Sequence, residues 1–266
     1  MNYEIVFSDV DGTLLNSNHI ILPSTLATID QLKKRHIEFV IISARSPSGI
    51  YPILKRFGFV CPIICYSGAL ILDKDRKPLY STGFSKYTGK KIVNYIESNH
   101  LDCTWNIYSM DTWIVKDRMD KRVQLEESIV QAEAINGSID MLDDNALIGK
   151  ILCMCNPDHI LNIEQQLRNA FPELSIAKSS ATLLEIMAGN INKSTAVKKL
   201  CNILNIPLEN TIAFGDNYND VEMLNTVATP FLMGNAPSEL KSAFKNITYD
   251  NDTDGIARAL ASLKLI

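Results

Sequence analysis

The feature that most constrains the fold is an apolar run near the N-terminus that ends abruptly in two aspartates. Residues 5–7 (Ile-Val-Phe) form the run, and Asp9, Asp11 and Gly12 follow it. Because glycine adopts turn conformations that other residues resist, this segment predicts a buried strand that enters a tight loop carrying two carboxylates. Two like charges this close repel each other, and a hard divalent cation is the usual counter-charge.

The apolar segments that follow alternate with helices, a pattern typical of a doubly wound sheet. Residues 37–42 and 211–214 are near-continuous apolar runs of the kind that parallel sheets bury. Alternation of strands and helices with short connections predicts right-handed crossovers. We therefore expect an α/β core with a Rossmann-like, doubly wound parallel sheet.

The alternation stops in the middle of the chain. Strands predicted at 104–109 and 112–116 are separated by only two residues, which indicates an antiparallel pair. The remainder of this segment mixes helices and strands, and regular alternation resumes after it. We expect an interrupted core with an inserted α+β cap domain, with these boundaries: 1–82 for the first part of the core, 83–187 for the cap and 188–266 for the second part of the core.

Composition argues against several classes of protein. The 266 residues carry a net charge of −4 and contain no Lys/Arg cluster, so nucleic acid is not an expected partner. No apolar run approaches the roughly 20 residues that span a bilayer, so no membrane association is expected. The six cysteines lie mostly in apolar stretches without a Cys-x-x-Cys pair, which predicts reduced thiols and a cytoplasmic location. Cys153 and Cys155 fall on one strand face, which favours core packing over a metal site.

Polar residues at four places in the core predict one shared site. They follow three core strands and open one helix, in this order along the chain: Asp9 and Asp11; Ser43; Lys193; Asp216 and Asp220. In a doubly wound sheet such loops lie at the same edge, so we expect these side chains to meet. A carboxylate nucleophile, Mg²⁺, a hydroxyl, an ammonium and an acid are together what phosphoryl transfer requires.

Each motif alone has a simpler interpretation. The first could be a turn, although an EF-hand is excluded because Leu14 stands where that loop requires glycine. Asp216 and Asn219 could cap a helix, and Lys193 could be a surface lysine. A non-enzymatic phospho-accepting regulatory protein also uses an aspartate, Mg²⁺ and a lysine, but it has no need for a large cap that encloses a substrate.

The four motifs resemble, in the same order, those of the haloacid dehalogenase-like hydrolases. They read Asp9-Val-Asp-Gly-Thr-Leu-Leu, the Ser43 hydroxyl at a strand end, Lys193, and Gly215-Asp-Asn-Tyr-Asn-Asp220. Two further segments, Gly189-Asn-Ile-Asn-Lys193 and Met233-Gly-Asn-Ala236, are similar to the Cof-type branch of sugar-phosphate phosphatases. An α+β cap inserted between the second and third motifs is typical of that branch.

The resemblance implies a Mg²⁺-dependent phosphatase that hydrolyses a small phosphorylated metabolite through an aspartyl-phosphate. Asp9 is the implied nucleophile, and Asp11 is the implied acid and base. The implied metal ligands are the carboxylates of Asp9 and Asp216, the backbone carbonyl of Asp11, and Asp220 as an indirect ligand. The implied phosphate-binding residues are Ser43, Ala44, Lys193 and Asn219. Within the same superfamily, a phosphomutase that returns the phosphoryl group to its substrate is the alternative.

Two positions depart from the family pattern. Ala44 stands where relatives usually have glycine, and Ser67 stands where they usually have asparagine. Ala44 is expected to change the loop where the backbone approaches phosphate, and loss of the asparagine amide at Ser67 is expected to alter substrate contacts. Neither position affects the implied nucleophile or metal ligands. The expected partner is a small phosphorylated metabolite, and the chain is expected to be a monomer or a weak homodimer.

Overall fold

The computed structural model describes residues 2–266, whose strands and helices fall into three consecutive segments. The first segment contains β1 (Ile5–Ser8), α1 (Pro23–Lys34), β2 (Glu38–Ile42), α2 (Pro47–Phe57), β3 (Ile63–Cys65), β4 (Leu70–Leu72) and β5 (Pro78–Ser81). The second contains β6 (Phe84–Ser85), α3 (Lys86–Ser98), β7 (Cys103–Ser109), β8 (Thr112–Val115), α4 (Lys121–Val130), β9 (Ile135–Asn136), β10 (Leu147–Ile148), β11 (Lys150–Cys155), α5 (Ile160–Ala170), β12 (Leu174–Lys178) and β13 (Leu183–Ala188). The third contains α6 (Lys193–Leu204), β14 (Thr211–Gly215), α7 (Val221–Leu224), β15 (Thr229–Leu232), α8 (Ser238–Ala243) and α9 (Gly255–Ser262).

These elements form two compact units. The core unit consists of the residues up to Ala44 together with Ile53–Leu79 and Asn192–Ile266. The inserted unit consists of Arg45–Pro52 and Tyr80–Ile191. Among the described residues, no helix combines the length and the apolar character that a membrane crossing requires.

The core unit is built on a seven-stranded sheet in the order β15-β14-β1-β2-β3-β4-β5. The five strands from β15 to β3 pair in parallel, and β4 returns antiparallel to β3. From the central strand β1 the chain moves outward through β2 and β3, and it later fills the opposite side with β14 and β15. The strand order therefore reverses between β1 and β14, and the carboxyl ends of strands at such a reversal form a ligand-binding crevice. The expected doubly wound α/β core is confirmed.

The hydrophobic pattern explains why β1 is central. Its four residues are completely buried, including the serine that ends it, and β14 is buried along its whole length. Strands covered on both faces are mostly apolar, and Ser8 and Thr211 are the polar residues of these two strands. The charged side chains Asp9 and Asp216 come directly after these strands, at the sheet edge.

The inserted unit has a different sheet, in the order β12-β13-β11-β7-β8-β9. The predicted hairpin is confirmed as the antiparallel pair β7 and β8, joined through residues 110 and 111. One face of this sheet packs against α3 and α5 in a single apolar cluster that includes Trp105, Cys153 and Cys155. A separate two-stranded sheet, β6 with β10, has strands of only two residues, too short to give a sequence pattern.

Candidate active site

Asp9 of the first motif and Asp216 of the fourth motif lie at the reversal of strand order. Asp9 directly follows β1, and Asp216 directly follows β14, its parallel neighbour. The backbone N–H of Asp9 donates to the carbonyl of Phe214, which extends the pairing to the end of both strands. Topology alone therefore brings these two carboxylates together.

Lys193 enters the site as the first residue of α6. Asn192 precedes this helix with an extended backbone, and its side chain accepts from the N–H of Thr195, whose hydroxyl lies near the N–H of Asn192. This capping box fixes where the helix begins and so places Lys193. The Lys193 Nζ atom is 2.6 Å from Oδ1 of Asp9 and 2.6 Å from Oδ1 of Asp220, and its side chain is only 1% exposed. A surface position for Lys193 is therefore excluded.

Asp220 is completely buried and has both carboxylate oxygens engaged. Oδ1 accepts from Lys193, and Oδ2 accepts from the backbone N–H groups of Asp216 and Asn217 at 3.0 and 3.1 Å. Asp220 thereby ties the loop after β14 to Lys193. The turn that follows is capped by Asn217, so the interpretation of Asp216 and Asn219 as helix caps is wrong.

Two residues that had no role in the sequence-based prediction hold the loops around Asp216. The hydroxyl of Thr13 donates to Oδ1 of Asp216 at 2.7 Å, and the side-chain amide of Asn235 donates to the carbonyl of Gly12 at 2.8 Å. Gly12 has φ +80°, and a Cβ atom there would lie 2.4 Å from Oδ2 of Asp216. Glycine is therefore required both by the backbone and by the close approach of a carboxylate. Thr13 and Asn235 stand inside motifs that the sequence already singled out.

The remaining predicted residues lie in the loops around this cluster. Ser43 follows β2 and is buried; its carbonyl accepts from the N–H of Ser67. Ala44 is partly exposed, and the side chains of Asp11 and Asn219 are exposed in the loops that follow β1 and β14. The structure thus brings together Asp9 and Lys193 with the acidic loop, whereas the others line its neighbourhood.

Burial and like charge shape the acidity of the site. Burial raises the pKa of Asp9 to about 7 against the opposing effect of Lys193, and the nearby Asp220 and Asp216 carboxylates raise it as well. Burial also raises the pKa of Asp216 to about 6, with contributions from Asp220 and Asp11. Burial tends to lower the pKa of Lys193, but Asp9 and Asp220 outweigh that effect and hold it above its ordinary value. Lys193 is therefore an ammonium near neutral pH.

The cluster fits a hard divalent cation. One oxygen each from Asp9, Asp216 and Asp220 lies within 4.8 Å of the others. The donors are all carboxylate oxygens, the ligand type that Mg²⁺ and Ca²⁺ prefer. Lys193 supplies one positive charge against three carboxylates, and the pKa values of Asp9 and Asp216 are raised first by burial and then by the neighbouring carboxylates. A bound cation would remove that excess.

Comparison with known proteins identifies the family of the chain. The family model for haloacid dehalogenase-like hydrolases matches residues 6–260. A Haemophilus influenzae protein named "Putative phosphatase" is 38% identical to this chain over 264 residues, which cover 98% of each protein.

Two solved structures share the fold. One is a haloacid dehalogenase-like hydrolase from Bacteroides thetaiotaomicron, with a TM-score of 0.88, 24% identity, and coverage of 98% of this chain and 99% of that chain. The other is described as a subclass IIB sugar phosphatase of the same superfamily, with a TM-score of 0.81, 19% identity, and coverage of 99% and 100%. The chain therefore belongs to the haloacid dehalogenase-like hydrolases.

Proposed function

We propose that this enzyme is a Mg²⁺-dependent phosphatase that hydrolyses a small phosphorylated metabolite, of the sugar-phosphate class, through an aspartyl-phosphate on Asp9. The observation that carries the proposal is the buried contact of Asp9 with Lys193 at the strand-order reversal, with Asp216 beside it. An ammonium and several carboxylates at one edge of a parallel sheet match the needs of phosphoryl transfer.

The metal ligands in this proposal are the carboxylates of Asp9 and Asp216 and the backbone carbonyl of Asp11. Both Asp220 oxygens already accept hydrogen bonds, which supports a role for Asp220 in holding the loop and Lys193. When bound, Mg²⁺ would neutralise negative charge shared by the phosphate and the aspartates.

Asp9 acts as the nucleophile because one of its oxygens is held in place. Lys193 engages Oδ1, which leaves Oδ2 to attack phosphorus while the ammonium stays beside the phosphoryl oxygens. The Asp9–phosphorus bond forms as the bond to the leaving oxygen breaks, and Asp11 gives that oxygen its proton. Asp11 then takes a proton from the water that attacks the aspartyl-phosphate, which releases phosphate and restores Asp9.

The exposure of the two aspartates supports this division of roles. Asp9 is 7% exposed and fixed, as a nucleophile in a defined direction must be, whereas the Asp11 side chain is exposed and can reach a leaving group and water. Ser43 and Lys193 are proposed to bind the phosphoryl oxygens, together with the loop residues Ala44 and Asn219.

The test compares the wild-type enzyme with Asp9→Asn and Asp11→Asn on an aryl phosphate, with Mg²⁺ and without any bisphosphate activator. We expect Asp9→Asn to be inactive with an unchanged circular dichroism spectrum, and EDTA to silence the wild type. Full activity of Asp9→Asn would remove the nucleophile assignment. Activity that appears only with a bisphosphate would indicate the phosphomutase alternative. A panel of phosphorylated sugars, nucleotides and pyridoxal phosphate then ranks kcat/KM by substrate class.

A further inference from the structure

Three cysteine thiols gather at one end of the sheet in the inserted unit. Cys103 begins β7 and Cys155 ends β11, and the two are directly opposite each other in the antiparallel ladder. Cys153 lies two residues before Cys155 on the same face. Cys103 is partly exposed, whereas the other two are buried. The proposed phosphatase reaction does not use this cluster.

The backbone hydrogen bonds identify which thiol Cys103 can reach for a covalent bond. The N–H of Asn156 donates to the carbonyl of Asp102 at 3.2 Å, and these residues flank the Cys103–Cys155 pair. Cys103 and Cys155 are therefore a non-hydrogen-bonded pair, in which the Cα atoms stand about 4.5 Å apart. That separation lies within the range of about 4.4 to 6.8 Å that a disulfide spans. Cys153 is the diagonal neighbour of Cys103, at roughly 7 to 8 Å, beyond that range.

The surroundings of Cys103 favour its thiolate. Hydrogen bonds from Cys153 and Cys155 lower the pKa of Cys103 to about 4, and the Arg122 guanidinium adds to this effect against the opposing charge of Asp102. Arg122 is held next to the end of β11, since its Nη1 atom donates to the carbonyl of Met154 at 3.1 Å. Cys103 is thus a partly exposed thiol with a lowered pKa, and such a cysteine is the kind that peroxides oxidise first.

We propose that Cys103 is a peroxide-reactive thiol that forms a reversible disulfide with Cys155. The Cys103 thiolate attacks one oxygen of a hydroperoxide, the O–O bond breaks, and the leaving oxygen takes a proton to become water or an alcohol. Cys103 is now a sulfenic acid. The Cys155 thiol attacks its sulfur, the S–O bond breaks, and the oxygen leaves as water with the Cys155 proton. The net change is loss of one hydrogen from each thiol, with the peroxide as the oxidant.

The experiment oxidises the full chain with a small excess of hydrogen peroxide, blocks free thiols with an alkylating reagent, and analyses intact and trypsin-digested protein by mass spectrometry. Trypsin releases Cys103 in the peptide of residues 92–116, and Cys153 with Cys155 in the peptide of residues 151–168. We expect a loss of two hydrogen masses from the intact chain, a cross-linked peptide pair that fragmentation assigns to Cys103 and Cys155, and full reversal by dithiothreitol.

Two variants separate the proposal from general thiol oxidation. In Cys155→Ser the cross-link should disappear, and dimedone should trap a sulfenic acid on Cys103. Cys65→Ser removes a buried thiol of the core unit, and it should cross-link as the wild type does. A link from Cys103 to Cys153, irreversible oxidation of Cys103 without a link, or no reaction at Cys103 would each overturn the proposal. The wild-type peptide map decides the partner even when a variant does not fold, and none of these results depends on phosphatase activity.

Discussion

Replacing Lys193 by methionine removes the single ammonium that joins two buried carboxylates. At an effective dielectric constant of about 20, unit charges 2.6 Å apart attract each other by about 6 kcal/mol, and Lys193 makes two such contacts. Much of that attraction offsets the cost of burying the charges. Removing one partner of a buried ion pair typically costs about 3 to 5 kcal/mol, because the remaining charge is left without compensation. We expect Lys193→Met to lower the free energy of unfolding of the core unit by that amount near pH 8.

The free energy of unfolding that Lys193→Met loses should be smaller at low pH. Without Lys193, Asp9 loses the interaction that now opposes burial, so its pKa rises further above about 7. Near pH 5 the stranded carboxylate can take up a proton instead of remaining charged, and the destabilisation should shrink. The same protonation would remove the nucleophile, so we also expect the variant to be inactive near neutral pH.

The assay must report on the core unit separately. Both tryptophans, Trp105 and Trp113, lie in the inserted unit, so their fluorescence follows that unit and serves as an internal control. Native-state hydrogen exchange of the peptide that contains β1, measured in EDTA, follows the core unit. Lys198→Met changes an exposed lysine on the same helix and should shift stability by no more than about 0.5 kcal/mol. A loss below about 1 kcal/mol for Lys193→Met near pH 8, or an equal loss near pH 5, would refute the reasoning.

Three further predictions concern the loops around Asp216 and the metal. Asp9 and Asp216 have pKa values of about 7 and about 6, above the ordinary 3.8, so the metal-free folded protein binds more protons than the unfolded chain in that window. Its stability should therefore fall as pH rises from about 4 to 7 and level off above, and Mg²⁺ should raise the melting temperature more near pH 8 than near pH 5. If calorimetry shows that Mg²⁺ raises the melting temperature equally near pH 5 and near pH 8, the prediction is contradicted. Thr13→Val removes the hydroxyl that orients Asp216 and should weaken Mg²⁺ binding by roughly 10- to 100-fold in titration calorimetry. Thr13→Ser keeps the hydroxyl and should bind Mg²⁺ about as the wild type does. Equal Mg²⁺ affinities of Thr13→Val and the wild type would rule out the positioning role. Gly12→Ala should be less stable, by about 1 kcal/mol or more, and less active, because φ is +80° and the new Cβ meets Asp216. Urea unfolding measures the stability, and a phosphatase assay measures the activity. Wild-type values in both would show that the loop can accommodate a Cβ atom.

Much of the core could be predicted because its signals are local and repeated. Runs such as residues 37–42 and 211–214 are apolar except at Glu38 and Thr211, and strands buried on both faces favour that pattern. Strands of two residues, such as β6 and β10, gave no such signal, since a period cannot be recognised in two positions. The sequence pattern likewise does not predict helix α8, because six residues are too few to show a clear helical period.

The meeting of the acidic loops with Lys193 was predictable for a topological reason. Parallel strands end at one edge, so residues that follow them converge whatever the loops do in detail. The contacts inside the loops were less accessible. That Asn217 caps the turn, and that Thr13 bonds to Asp216, depends on the direction of single side chains, and sequence spacing does not fix those directions.

The two aspartates of the first motif differ in one physical respect that sequence spacing leaves open. Alternation along an extended chain sends both side chains in the same general direction, so pattern alone treats them as equivalent. The structure buries Asp9 against Lys193, whereas Asp11 comes after the strand has ended and keeps its side chain exposed. The turn at Gly12 follows directly, and it folds the chain back so that Thr13 reaches Asp216. A buried, ion-paired carboxylate and an exposed one have different chemistry at the same site, and this difference fits the proposed roles of Asp9 as nucleophile and of Asp11 as acid and base.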